Sequence, residues 1–134
     1  MADLSITAAN VVVVSGSPHL AIAGATITQG QAIYIDATGK AQLAKNDTAI
    51  HAAAVGIALA SVSAGQWLPY APAGSQVTIG ATVVKGAIYS VSSTAGNIQA
   101  EGDFTTGYFV TQIGRAPNVT DIFLDMLAYG YAHG

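Results

Sequence analysis

Two stretches decide how this chain is read: GATITQGQAIY, Gly24 to Tyr34, and GATVVKGAIY, Gly80 to Tyr89. Both open Gly-Ala-Thr, continue with a β-branched apolar residue, and reach Ala-Ile-Tyr just after a further glycine. The likeness runs on. IDATGKAQLAKND, Ile35 to Asp47, and SVSSTAGNIQAEGD, Ser90 to Asp103, each read as a strand, a glycine turn and a short return strand. The turns, Thr38-Gly39-Lys40 and Ala95-Gly96-Asn97, suit hairpins because glycine takes positive φ without a Cβ clash. VGIALASV, Val55 to Val62, then faces IGRAPNVT, Ile113 to Thr120, and the copies close with WLPYA, Trp67 to Ala71, and IFLDMLA, Ile122 to Ala128. The offset is 56 residues at Gly24/Gly80 and 58 at Gly56/Gly114, so the register drifts by only two.

A single copy has an apolar face and too few strands to close on itself, whereas two copies packed together bury both faces. Four landmarks in the same order therefore define a duplicated unit, repeat one at about 24–71 and repeat two at about 80–128. Both lie in a single β-domain spanning 24–134, preceded by an N-terminal leader, 1–23, with one strand at Val11 to Val14. β-branched residues, Gly and Ser/Thr dominate, with turn signals about every eight to twelve residues. The expected fold is all-β, a small sandwich or barrel of two tandem repeats with an extended leader. NDTAIHAAAV comes nearest to a helix, but alignment with the second copy places a strand at Ala53 to Ala60. Asp47 to Ala52 is left as a loop or one helical turn.

Charged residues make up 8% of the 134, against roughly 25% in ordinary soluble domains. Such a surface is either covered by uncharged polar groups or buried against other chains. The second is favoured, because obligate interfaces are depleted in charge. The four cations, Lys40, Lys45, Lys85 and Arg115, are scattered over a chain of net charge −3, which gives no footprint for nucleic acid. Absence of Cys excludes disulfides and thiolate metal sites and fits a reducing cytoplasm. MADLSITAAN lacks the features of a secretory signal, and no apolar run approaches the ~20 residues of a membrane helix.

Catalytic chemistry finds little support. His19, His51 and His133 have no partner at metal-ligand spacing, and the serines lie outside any nucleophile motif. Glu101 and Asp103 are the nearest thing to an acid pair, and a solvated turn explains them better. No enzyme activity, metal or cofactor is expected. The aromatic residues say more. Trp67 and Tyr70 flank Leu68-Pro69, and proline in a strand points to a sheet edge. Trp67 has no aromatic counterpart in the second copy and reads either as an anchor between subunits or as core. Tyr34 and Tyr89 read as equivalent core residues. Leu4, Ile6, Val11 and Val13 of the leader add to the chain's own sheet or to a neighbour's edge, and Tyr129 and Tyr131 of the tail are placed to lie over a neighbour. With Trp67 and Tyr70, these residues form the candidate interface with neighbouring subunits or other chains.

The run AGATITQGQAIYIDATGKAQLAKND, followed by AAAVGIALASVSAGQWLPYAPAGSQVTIGATVVKGAIYSVSSTAGNI, resembles the small capsid decoration (cement) proteins of tailed bacteriophages. The shared pattern is Ala-Ile-Tyr, an Asp before the Gly-Lys turn, Leu-Ala, then Ala-Ala-x-Val-Gly-Ile-Ala-Leu and Ala-Gly-Gln, over roughly Gly24 to Ala100. The resemblance implies a structural protein made in the host bacterial cytoplasm and placed on the outside of the virion. It would bind the phage major capsid protein, commonly as a homotrimer, with no nucleic-acid or membrane partner. The leader and tail lie outside the pattern. The alternative is a β-sandwich head-fibre or adhesin-like module that binds host glycans on Trp67, Tyr70, Tyr108 and Phe109.

Overall fold

The computed structural model describes residues 3–48, 50–92, 94–100 and 109–132. Glu101, Asp103, Tyr108 and His133 lie outside the described residues, as do the side chains of Phe109, Tyr129 and Tyr131. The fold is all-β, as the β-branched and glycine-rich sequence predicts. Its strands are β1 (Val11–Ser15), β2 (His19–Ala23), β3 (Ala32–Ile35), β4 (Lys40–Leu43), β5 (Gly56–Ala58) and β6 (Trp67–Pro72). They continue as β7 (Gln76–Ile79), β8 (Ile88–Val91), β9 (Ile98–Ala100), β10 (Phe109–Arg115) and β11 (Asp121–Ala132).

The duplication is visible in the strand order. Strands β2-β4-β3-β5-β6 form a closed barrel, and β1-β7-β11-β10-β8-β9 form a six-stranded sheet. Within the barrel, β4, β3, β5 and β6 are successive antiparallel neighbours, and β2 pairs antiparallel with β6. In the sheet, β9, β8, β10 and β11 repeat that order, and β7 pairs antiparallel with β11. Each unit is thus five strands long and begins one strand before the Gly-Ala-Thr motif. Equivalent loop bonds recur as well. Gly30 N–H donates to the Ala58 carbonyl at 2.8 Å and Gly86 N–H to that of Ala116 at 2.7 Å. Ile27 N–H reaches Val62 and Val83 N–H reaches Val119, both at 3.0 Å. The hairpin glycines Gly39 and Gly96 take φ of +83° and +80°.

Three expectations change. The first 23 residues hold two strands, because β2 belongs to the barrel. Strand β5 is shorter than Ala53 to Ala60, and Ala52 N–H to Thr48 carbonyl closes one helical turn before it. The third is β6, which is not an edge: it has neighbours on both sides. Pro69 is tolerated there because its carbonyl accepts from Leu59, just past the end of β5. The missing N–H therefore faces a point where that ladder has run out.

Two cores follow from the alternation along the strands. Ala21, Ala23, Ile33, Ala41, Ala58 and Leu68 point into the barrel, where alanine fits a narrow interior. Residues of opposite parity, Ala32, Ile57 and Ala71, leave the barrel wall and meet Val77, Ile79, Val91, Ile113, Ile122 and Leu124 of the sheet. The barrel wall and one sheet face thus share the larger core. Tyr89 is buried in it, with its hydroxyl accepting from Val84 N–H at 2.9 Å. Tyr34 is only half-buried and lies against His51, so the two tyrosines are not environmental equivalents.

Candidate functional site: an apolar wall on the barrel

Pairing of β2 with β6 sets Ile22 opposite Trp67 and Leu20 opposite Pro69, while Ala21 and Leu68 face inward. On β2 the alanines thus line the barrel, and the bulky Leu20 and Ile22, with Trp67 of β6, stand on its outside. Leu20 is 64% exposed and Trp67 63%. The parallel pairing of β2 with β4 brings Lys40 beside Ile22. Together with Ile35, Thr38 and Tyr70 these residues line a shallow groove of about 380 Å³. Tyr70, on the inward parity, packs at the barrel's mouth and meets His19 edge to face at 5.7 Å between ring centroids. Exposed to this extent, the indole and the leucine add little to the stability of the fold.

Three carboxylates, Asp36 beside the wall and Asp47 and Asp121 elsewhere, are committed to the fold. Asp36 accepts from the Thr38 hydroxyl at 2.6 Å, from Gln42 Nε2 at 2.9 Å, and from the backbone N–H groups of Thr38 and Lys40. The Thr38 and Gln42 side-chain bonds, with that from Lys40 N–H, hold its carboxyl far below the usual range. Asp47 lies 2.8 Å from His51 Nδ1 and 4.0 Å from Lys45 Nζ. Burial works against its charge, but the bond and the charges of His51 and Lys45 prevail and lower it. Asp121, 7% exposed, accepts from Gln76, Thr78, Asn118 and Thr120 side chains, which outweigh its burial and lower it too.

These shifts fix the sign of the acid response. A carboxyl depressed in the folded state leaves the unfolded chain holding more protons in acid. Its stabilisation is complete above the unfolded value, about 3.9, and is lost as pH falls through the lower folded values. The urea midpoint is therefore expected to drop as pH is lowered below about 4. A midpoint that holds or rises between pH 4 and pH 3 would contradict this assignment.

The sequence candidates are not brought together. Trp67 and Tyr70 share the wall. Val11 is 3% exposed and belongs to the chain's own core, with Leu4 and Ile6 half-buried against it. Val13 pairs with Val77 on β7, and Tyr129 and Tyr131 lie on β11. Leu20 and Ile22 are not among the sequence candidates, because the alternation in HLAIA would turn its bulkier residues inward, whereas Ala21 and Ala23 are the ones inside. Among the described residues no cluster of three His, Asp or Glu side chains is placed to hold a metal, and no helix is long and apolar enough to cross a membrane. Compared with family models, curated proteins and solved structures, the chain matches none.

Proposed function

We propose that the chain is a structural subunit that coats a phage head, binding the major capsid protein from outside as an oligomer. The observation that carries this reading is the barrel wall, where Leu20 and Trp67 are both about two-thirds exposed on paired strands. The low charge content supports it, since few charges leave more surface suited to burial against neighbours. So does the division of labour in the fold. Asp36, the carboxylate beside the wall, is tied to Thr38 and Gln42 and serves the β3–β4 turn.

The mechanism is linkage. A subunit that binds only the expanded shell stabilises that shell by its binding free energy, and an oligomer multiplies modest contacts by avidity. Purified protein is expected to sediment as an oligomer and to co-sediment with expanded heads prepared without it. Monomeric protein left in the supernatant would refute the reading. The glycan-binding alternative uses the same wall, with Trp67 as stacking platform and Thr38 and Lys40 at its border. Retention on a glycan array, with no retention on heads, would favour that alternative.

A further inference from the structure

The two units differ at one seam. In the barrel, the end of β2 meets the start of β4 directly: Ile22 pairs with Lys40, and Gly24 N–H donates to the Ala41 carbonyl at 2.8 Å. The equivalent positions in the second unit are Gly80 and Ile98, after β7 and at the start of β9. Here the strands are not neighbours, and the carbonyls of both residues accept from the leader instead. Thr7 N–H reaches Gly80 and Leu4 N–H reaches Ile98, both at 2.8 Å. The Asp3 carboxylate accepts from Ser92 Oγ at 2.6 Å and Asn97 Nδ2 at 2.9 Å, pinning the leader to the β8–β9 hairpin. Its apolar residues Leu4 and Ile6 pack on the larger core.

Glycines mark the path. Gly80 has φ of +72°, and a Cβ there would run into the Thr7 carbonyl. A Cβ on Gly30 would meet Cγ2 of Ile6 at 2.8 Å and of Val11 at 3.0 Å.

We infer that the second unit is a barrel with an open seam and that residues 3–7, which end where a 3-10 turn over Ala8–Asn10 begins, are its missing stave. The leader is a strap that docks onto strands already formed and leaves without opening the first barrel. The first barrel closes through β2 with β4 and β6, and none of its strands draws on residues 3–7. The strap is held by two backbone bonds, the Asp3 bonds and two half-buried side chains, whereas Ile33, Ile57 and Leu68 are fully buried. Segments with few buried contacts open at lower free energy than the core. The wall carrying Trp67 is on the barrel, so this inference is independent of the docking proposal.

Native-state hydrogen exchange on the full chain tests it. Amides of Leu4 and Thr7 are expected to exchange through an opening that leaves those of Gly24 and Ala58 protected. The double variant L4S/I6S is expected to speed exchange at Leu4 and Thr7 by at least about tenfold and leave Gly24 and Ala58 unchanged. Leader amides that exchange only with the whole molecule overturn the inference, as does equal acceleration at Gly24 and Ala58. The wild-type comparison decides alone if the variant fails to fold.

Discussion

Replacing Gly114 with alanine is expected to cost about 3 kcal/mol of folding stability. Gly114 is buried on β10 where it crosses β11, and a Cβ there would press on the Phe123 carbonyl and Ile122 Cγ2. Backbone cannot swing aside as a flexible side chain can, so the strand pair must separate. Gly56, its counterpart in the first unit, stands in the same relation to the Ala71 carbonyl, and Gly56→Ala is expected to behave alike. A control isolates the cause. Gly65 has φ of +89° and nothing within 4 Å of an added Cβ, so Gly65→Ala meets only the left-handed backbone penalty, about 1 kcal/mol. Urea unfolding of the three variants should rank Gly114→Ala and Gly56→Ala well below Gly65→Ala. Equal midpoints would show that strand approach at these glycines does not constrain the fold.

The second large effect concerns docking. Truncating an aromatic anchor at the centre of an interface removes about 2 kcal/mol or more, a loss of at least about 30-fold in affinity. Trp67→Ala is expected to weaken retention on expanded heads by that factor, and Leu20→Ser to add to it because the two share one wall. Exposed side chains contribute little to folding, so the unfolding free energy of Trp67→Ala, from urea titration, should change by no more than about 0.5 kcal/mol. Loss of retention with unchanged stability is the signature of an interface residue. A Trp67→Ala protein that binds heads as tightly as the parent would remove the wall from the account.

The duplication was legible because its landmarks are glycines, and a glycine forced by a turn or a close crossing leaves a mark that local pattern can read. Gly39 and Gly96 close equivalent hairpins, and Gly56 and Gly114 sit at equivalent crossings. Strand β2 was harder. Its inward residues are Ala21 and Ala23 and its outward ones Leu20 and Ile22, so hydrophobic alternation points to the wrong face. Proline in β6 misled for a related reason. Whether Pro69 needs a partner depends on where β5 stops, which is set by a strand pairing and not by the residues around the proline. The interface candidates divided along the same line. Trp67 was recognisable by residue type, whereas its neighbours Leu20 and Ile22 reach it only through the pairing of β2 with β6. Leu4, Ile6 and Val11 are apolar residues of a leader, and sequence alone left open whether they serve their own chain or another. In the structure Val11 pairs with Ile79 on β7, and Leu4 and Ile6 pack on the chain's own core.

Electron microscopy of expanded phage heads mixed with the purified protein tests the docking proposal most directly. The account predicts density on the outer surface in which the β2–β6 wall, with Trp67 at its centre, faces the capsid. Bare heads, or bound protein with that wall turned to solvent, would contradict it.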